Sequence, residues 1–320
     1  MANELTTDQK QVLDLSNRVI REVKKVIIGK DDIIIKILMT ICAGGHILLE
    51  DIPGVGKTTI AVAFSKALGL EYNRMQFTSD VLPADVTGFN IPDRTTGQFI
   101  FKPGAVFCNL FLADEINRTS SKTQSALLEC MEECTVTVDG TTRPLPRPFI
   151  VLATQNPSGS AGTQLLPESQ LDRFMIRLSI GYPKVEEEAA ILKAKAAHKG
   201  PPPVERIMTA EDILKLRDAA SHIYTSDEIF DYIARISAAT RTDRRLELGV
   251  SPRGSIAVAK MARCTAMFKG RDYVIPDDVR FVYTDVCAHR VIPAKKGKLT
   301  DDQVRAAVND ICLQVDAPKV

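Results

Sequence analysis

The chain reads His46-Ile-Leu-Leu-Glu-Asp-Ile-Pro-Gly-Val-Gly-Lys-Thr-Thr59 where an apolar strand passes through a glycine turn into a helix. Gly54 and Gly56 allow successive backbone N–H groups to point inward, and the N-terminus of the following helix adds positive potential. In such a loop Lys57 can bridge the β- and γ-phosphates of a nucleotide, and Thr58 can ligate Mg²⁺. The pattern therefore predicts a phosphate cradle, made of Pro53, Gly54, Val55, Gly56, Lys57, Thr58 and Thr59.

One position departs from the usual form of such a loop, because Asp51 stands where a glycine is usual, six residues before the lysine. An inward carboxylate would repel phosphate, so we expect Asp51 to point away from it. The helix after the loop is predicted by apolar residues that share one face at helical spacing and by Gly69, which ends it. These apolar residues are Ile60, Ala63, Phe64, Ala67 and Leu68.

The composition is that of a soluble globular protein of 320 residues, long enough for two domains of about 100–200 residues each. Its 41 basic and 40 acidic side chains give a net charge of +1, so no overall field attracts nucleic acid or membrane. The seven cysteines include no Cys-x-x-Cys pair, which indicates reduced thiols. The N-terminus resembles neither a signal peptide nor a myristoylation site, and residues 33 to 49 are too interrupted to span a membrane. We therefore expect a cytoplasmic protein.

Two further apolar segments predict buried strands that end in polar residues. The first runs from Asn109 to Glu115 and ends in Asp114-Glu115, and the second runs from Pro148 to Pro157 and includes Asn156. Strands buried on both faces and alternating with helices indicate a parallel sheet covered on both sides, and ligands bind at the carboxyl ends of such strands. The cradle, the acid pair and the asparagine should therefore meet in one crevice.

This crevice has the residues needed to hydrolyse a nucleotide. Asp114 would hold Mg²⁺ through its water shell, and Glu115 would orient or deprotonate the water that attacks the γ-phosphate. Asn156 can donate a hydrogen bond to the γ-phosphate or to that water.

From Glu186 onward the sequence predicts helices without apolar strands, so we expect residues 1–183 to form the α/β core and residues 184–320 a smaller all-helical domain.

Six ordered motifs resemble those of the AAA+ ATPases with a P-loop NTPase core, and within them the MoxR family of the helix-2-insert clade. They are Leu49-Glu-Asp-Ile-Pro-Gly-Val-Gly-Lys-Thr58, Leu112-Ala-Asp-Glu-Ile-Asn-Arg118, Lys122-Thr-Gln-Ser-Ala-Leu-Leu-Glu129, Ala153-Thr-Gln-Asn-Pro157, Leu166-Pro-Glu-Ser-Gln-Leu-Asp-Arg-Phe174 and Ser251-Pro-Arg-Gly254. The resemblance implies a homo-oligomeric ring, usually a hexamer, with ATP and Mg²⁺ bound between neighbouring subunits. It also implies that Glu-Asp before the Pro-Gly of the cradle is usual for this family.

The resemblance also assigns roles to single residues. It implies that Asn156 is sensor 1, that Arg173 is the arginine finger that reaches the next subunit's γ-phosphate, and that Arg253 is sensor 2 in the lid. A planar guanidinium suits the charge that spreads over a transferred phosphoryl group. Arg118 and Arg177 also lie near strand ends and remain alternatives for the finger. The family's adenine-packing segment matches Val26, Ile27, Ile28 and Gly29, for which simple core packing is the alternative.

Two further segments resemble family elements that project from the core: the helix-2 insert at residues 88–107 and the hairpin before sensor 1 at residues 135–147.

The resemblance to this family implies chaperone-like remodelling of a client protein with a von Willebrand factor A-domain partner. A magnesium-chelatase-type motor subunit is an alternative that the ATP site cannot distinguish. A DNA-acting or nucleotide-switch ATPase is disfavoured, because the chain lacks a basic and aromatic strip for nucleic acid and an Asn-Lys-x-Asp motif for guanine.

Overall fold

A computed structural model describes residues 6–50, 54, 56–156, 166–196, 202–294 and 299–319. Asp51, Pro53 and Val55 lie outside the described residues, so the expected orientation of Asp51 and the parts of Pro53 and Val55 in the cradle stay predictions. The strands are β1 (Ile47–Glu50), β2 (Tyr72–Gln76), β3 (Gly88–Pro92), β4 (Phe99–Pro103), β5 (Leu110–Asp114), β6 (Thr135–Val138), β7 (Thr141–Pro144), β8 (Ile150–Gln155), β9 (Ile176–Leu178), β10 (Leu246–Leu248) and β11 (Ile292–Pro293).

The helices surround a central sheet and then continue alone toward the C-terminus. They are α1 (Thr7–Lys24), α2 (Asp31–Cys42), α3 (Lys57–Ala67), α4 (Pro83–Thr87), α5 (Ser121–Glu133), α6 (Glu168–Leu171), α7 (Val185–Ala196), α8 (Ala210–Ser221), α9 (Asp227–Thr242), α10 (Pro252–Phe268), α11 (Pro276–Cys287) and α12 (Asp301–Gln314). Within the described ranges, none of these helices has the length and apolar character needed to cross a membrane.

The central sheet has the order β2-β5-β8-β1-β9, and all its neighbours are parallel. Its middle strands β1, β5 and β8 are buried along nearly their whole length because both faces are covered. One apolar cluster, which includes Leu49, Leu112 and Leu152, packs on one face together with α1, α2, α3 and the C-terminal helices. A second cluster, which includes Phe111 and Val151, packs on the other face with α5. The predicted parallel α/β core is confirmed.

His46 connects several elements at the amino edge of the sheet, where its strands begin. Its Nδ1 accepts a hydrogen bond from the Val151 N–H at 3.0 Å, so the proton lies on Nε2, which donates to the Met131 carbonyl at 3.0 Å. Burial lowers the pKa of His46 to about 4, which keeps the ring neutral at pH 7. The last turn of α5 therefore lies at the amino edge, opposite the carboxyl edge where the strands end.

Two antiparallel hairpins project from the core. Strands β3 and β4 pair from Gly88↔Pro103 to Pro92↔Phe99, within the segment predicted as an insert. Strands β6 and β7 are joined by Asp139-Gly140, and both turn residues have positive φ, at 48° and 74°. An Asp-Gly pair favours this turn because both residues tolerate the left-handed region. The β6–β7 pair lies within residues 135–147, where the family resemblance implies a hairpin.

The C-terminal part is helical, as expected, with one difference. Strands β10 and β11 form a small antiparallel ladder that the sequence did not predict, beside the helices that it did. The ladder is short, with three residues in β10 and two in β11, so it gives no continuous apolar run in the sequence. The boundary near residue 183 stays a prediction, although helices follow one another from α7 onward.

Candidate functional site

The described part of the phosphate loop has the backbone that the sequence predicts. Gly54 and Gly56 have φ of 89° and 94°, a region that L residues other than glycine adopt only with strain. A Cβ atom built at either position would meet nothing within 4 Å, so the glycines are required by conformation rather than by space. Helix α3 begins at Lys57 directly after Gly56, and Thr58 and Thr59 follow in its first turn. The helix N-terminus faces the loop.

Lys57, Asn156 and Glu115 form one chain of hydrogen bonds at the carboxyl edge. Lys57 is buried, and its Nζ donates to the Asn156 Oδ1 at 3.3 Å. The Asn156 Nδ2 in turn donates to the Glu115 Oε1 at 3.0 Å. The backbone carbonyl of Asn156 accepts a hydrogen bond from the Asn117 Nδ2 at 3.2 Å, which fixes the end of β8. The three strand-end segments expected to converge do meet here.

The backbone and side chain of Glu115 are both held in place. Its φ of 57° places a non-glycine residue in the left-handed region, and its N–H donates to the Thr154 Oγ1 at 2.9 Å. The Arg118 Nη1 donates to the Glu115 Oε2 at 2.8 Å. This hydrogen bond is the largest cause that holds the pKa of Glu115 below its usual value, with further lowering from Asn156 and Gln76 and a smaller opposing effect of burial. The carboxylate is therefore ionised at neutral pH.

Asp114 lies at the buried end of β5 and binds two partners that sequence reasoning missed. The Thr154 Oγ1 donates to its Oδ1 at 2.6 Å, and the Arg74 Nη2 donates to its Oδ2 at 2.7 Å. Arg74 belongs to β2, an edge strand without an apolar run, so only the fold places it beside Asp114. Thr154 lies within the quoted motif at the end of β8, where the polar ending was a usable signal.

The residues present fit a magnesium nucleotide. The Asp114 carboxylate already holds a cationic partner, which shows that this position accepts positive charge. Carboxylate and hydroxyl oxygens such as those of Asp114 and Thr58 are the ligands that Mg²⁺ prefers, usually one or two of them with phosphates and waters supplying the rest. The open space over Gly54 and Gly56 leaves the backbone accessible to phosphate.

The predicted adenine segment is divided between the core and the surface. Ile27 is buried in the apolar core, Ile28 is half-buried, and Gly29 is exposed with φ of 72°. The Glu187 side chain of α7 lies across Gly29, where a Cβ atom would come within 2.0 Å of its carboxyl carbon. Core packing therefore accounts for Ile27, while a base contact for Ile28 and Gly29 stays a prediction.

A polar cleft of about 490 Å³ lies at the same edge, lined by residues of the sheet, α2 and α12. There the Arg177 Nη1 binds the Glu50 Oε2 at 2.7 Å, directly before the loop, and its Nη2 binds Asp301 of α12. Arg177 is thus engaged within its own chain. Arg118 is similarly paired with Glu115. These contacts give both alternative fingers a role inside one subunit.

Arg173 and Arg253 lie elsewhere, and both bind Glu132 in the last turn of α5. The Arg173 Nη2 is 2.9 Å from the Glu132 Oε2, and the Arg253 Nη2 is 2.7 Å from the Glu132 Oε1. Helix α10 begins just before Arg253, with Ser251 as its N-cap. The two arginines line a polar pocket of about 460 Å³ together with Glu132 and Glu133. The predicted finger and the predicted sensor 2 are therefore neighbours.

This pair of arginines is at the amino edge of the sheet, on the far side from the loop. Glu132 follows Met131, whose carbonyl binds His46 beside the start of β8, whereas Asn156 follows the end of β8. At about 3.3 Å per residue, the residues from Val151 to Asn156 put roughly 16 Å between the two edges. Within one chain, the arginines do not share a site with Lys57.

The sheet order, the left-handed glycine loop before α3 and the acid pair at the end of β5 define the class of AAA+ ATPases. A family profile described as "ATPase family associated with various cellular activities (AAA)" matches residues 46–176, and one described as "AAA lid domain" matches residues 238–311. The chain is 44% identical over 310 residues to the uncharacterized protein YeaC of Bacillus subtilis (strain 168), which covers 97% of each protein.

It is also 38% identical over 312 residues to the chaperone MoxR1 of Mycobacterium tuberculosis, covering 95% of this chain and 82% of that protein. A crystal structure of a protein from Cytophaga hutchinsonii superposes with a TM-score of 0.89 at 37% identity, covering 98% of this chain and 97% of that one. The chain belongs to the MoxR family of AAA+ ATPases. It is an ATPase with a nucleotide-binding core and a helical lid.

Proposed function

We propose that the protein hydrolyses Mg²⁺-ATP at sites shared between neighbouring subunits of a homo-oligomeric ring, and that this hydrolysis remodels a client protein. One observation carries the shared site: the loop and acids lie at the carboxyl edge of the sheet, while Arg173 and Arg253 lie at the amino edge. A head-to-tail contact between identical subunits brings two different faces together, and it forms a ring when the rotation between subunits closes. Such a contact would place the arginines of one subunit at the loop of the next.

In this proposal one subunit binds the nucleotide. The N–H groups around Gly54 and Gly56 and the N-terminus of α3 hold the phosphates, and Lys57 neutralises their charge. Thr58 and Asp114 would hold Mg²⁺, Asp114 through the water shell of the ion, and Arg74 donates to the Asp114 Oδ2 beside this position. Bound Mg²⁺ supplies charge neutralisation for the β- and γ-phosphate oxygens.

Glu115 and Asn156 act on the water. The ionised Glu115 carboxylate accepts the proton of the attacking water or orients it, and Asn156 holds that carboxylate while it also contacts Lys57. Because Asn156 bonds both groups, a change at the phosphate end of the site is transmitted to the carboxylate. Asn156 would thereby report whether the γ-phosphate is present.

The neighbouring subunit supplies Arg173 and Arg253. Charge that develops on the transferred phosphoryl oxygens is stabilised by a planar guanidinium, an effect of about 10³–10⁵ in rate. In the isolated chain the negatively charged Glu132 carboxylate binds both guanidinium groups, so the two arginines share one anionic partner. We take six subunits as the ring size, following the family.

The shared site predicts that turnover per subunit depends on protein concentration. Because hydrolysis needs a neighbour, the rate per subunit should rise steeply as subunits associate and then reach a plateau. The measurement is steady-state hydrolysis across a dilution series, with sedimentation at the same concentrations. Full turnover in samples that sediment as monomer would contradict the proposal.

The client-remodelling part is supported by the β3–β4 hairpin. It exposes Phe99 at 73% and Ile100 at 49%, together with Phe89 and Ile91, an unusual amount of apolar surface for a short projection. We propose that this hairpin contacts the client and that a von Willebrand factor A-domain protein is the partner.

Co-purification with a porphyrin-handling subunit instead would favour the magnesium-chelatase-type alternative. Hydrolysis that is stimulated by DNA and weakened steeply by salt would favour a DNA motor.

A further inference from the structure

Arg290, just after α11 in the lid, uses every N–H of its guanidinium group. Its Nε donates to the Asp172 Oδ1 at 2.7 Å, and its Nη2 donates to the carbonyls of Asp172 and Phe174 at 3.1 and 2.7 Å. Its Nη1 donates to the Met175 carbonyl at 3.1 Å and to the Val286 carbonyl. The side chain is only 2% exposed. A buried arginine with all five donors satisfied is held in one orientation.

Four of these five hydrogen bonds go to the turn from Asp172 to Met175, which carries Arg173. The bonded carbonyls lie on both sides of Arg173, so its backbone is fixed before and after the side chain. His289 adds a further hydrogen bond from its Nε2 to the Phe174 carbonyl at 3.0 Å. The turn that belongs to the core in sequence is thus bound to the lid in space.

Asp172, which binds Arg290, also contacts the start of α10, the helix that carries Arg253. The Ser251 Oγ, which caps α10, lies 3.3 Å from the Asp172 Oδ2. Gly254 leaves room for Arg290, because a Cβ atom there would come within 3.1 Å of the Arg290 Cδ and 2.7 Å of the Val250 Cγ1. The Asp172 carboxylate therefore joins Arg290 to Ser251, while Glu132 joins the tips of Arg173 and Arg253.

We propose that Arg290 is a positioning residue that fixes Arg173 to the lid, so that Arg173 and Arg253 act as one rigid pair on the nucleotide of the neighbouring subunit. The inference rests on the proposed shared site. Two arginines that come from different parts of the chain need a common frame if both are to meet one phosphate group. Arg290 supplies that frame, since it bonds to the turn of one arginine and, through Asp172, to the helix cap of the other.

The first test is Arg290→Lys, which keeps the positive charge but offers three donors and no planar fork. A displacement of about 1 Å at a catalytic group costs on the order of 100-fold in rate, so kcat should fall by roughly 10- to 100-fold. The nucleotide Kd and KM should stay unchanged, because Lys57 and the loop lie at the other edge. Arg217→Lys is the matched control, since Arg217 also joins the lid to a core carbonyl, that of Ile41, away from the Arg173 turn. This control should keep kcat.

The deciding readout is recovery in mixed rings. Subunits with Arg290→Lys keep an intact loop, and subunits with Lys57→Ala keep an intact arginine pair, so mixing the two forms should raise hydrolysis above the sum of their separate rates. A merely destabilised lid would not be rescued by a partner that cannot bind nucleotide. If Arg290→Lys does not fold, Asp172→Asn replaces it, because this change removes the charge that joins Arg290 to Ser251 at nearly constant volume.

A parallel mixture of Arg173→Ala and Lys57→Ala subunits separates the two levels of the proposal. If this mixture recovers activity and the Arg290→Lys mixture does not, the positioning role is wrong while the shared site stands. If neither mixture recovers, the shared site itself is wrong. A loss of nucleotide affinity in Arg290→Lys that equals its loss of kcat would also overturn the inference.

Discussion

Arg173→Ala is expected to lower kcat by about 10³–10⁵, the range for loss of an arginine finger. Its side chain lies with Arg253 at the amino edge of the sheet, where it bonds Glu132 and the Ser169 carbonyl, whereas Lys57 of the same chain lies at the carboxyl edge. The nucleotide Kd should therefore stay within a few-fold of the wild-type value. A large fall in kcat with little change in binding is typical of an interaction made in the transition state.

The measurement is steady-state hydrolysis together with titration of a fluorescent nucleotide. Arg235→Ala is the matched control, since Arg235 is an exposed lid arginine that bonds the Asp316 carbonyl, and its loss should leave kcat unchanged. An Arg173→Ala protein with wild-type kcat would remove Arg173 from the reaction. One that fails to bind nucleotide would place Arg173 in the site of its own chain, against the geometry.

Glu115→Gln is expected to lower kcat by about 10²–10⁴, the usual contribution of a general base. The amide keeps the shape of the side chain and can still accept the hydrogen bond from the Asn156 Nδ2, but it cannot take a proton from water. Nucleotide binding should survive, and at 100 times Kd it should stabilise the folded protein by about 2.7 kcal/mol. Glu211→Gln, on the exposed face of α8, is the control and should hydrolyse ATP normally.

The same variant gives a way to identify the client. A ring that binds ATP but does not turn over should hold its partners, so proteins retained by Glu115→Gln in ATP and released without it are candidates. Retention of an A-domain protein would support the proposed partner. Wild-type turnover in Glu115→Gln would show that another group activates the water.

The sequence predicted the strands that are almost fully buried, but it did not predict the strands that are partly exposed. Strands β1, β5 and β8 lie inside the sheet and read as continuous apolar runs. Strand β2 is at the edge with Asn73, Arg74 and Gln76 exposed, and β9 has three residues with Arg177 in the middle, so neither shows such a run. A charged residue within such a strand cannot be assigned to the sheet from the sequence alone, because only the fold shows which residue it pairs with.

The candidate site divides in the same way. Lys57, Asp114, Glu115 and Asn156 follow from local patterns, because each lies at the end of an apolar strand or at the start of the helix that follows one. Arg74 and Arg290 act on partners 40 and 118 residues away, and nothing local to them indicates this. The clustering of Arg173 with Arg253 on Glu132 likewise needs the fold. The roles that the family resemblance assigns to these two arginines did not predict that both would bind the same carboxylate.

Each nucleotide site is proposed to be completed by a second subunit. The most direct test is hydrolysis by mixtures of Arg173→Ala and Lys57→Ala subunits at fixed total concentration and varied ratio. Each variant alone should be nearly inactive, and an equal mixture should regain activity at about a quarter of the interfaces in a randomly assembled ring. Activity should fall on both sides of that ratio. Mixtures that stay inactive at every ratio, while sedimentation shows mixed rings, would contradict the shared site.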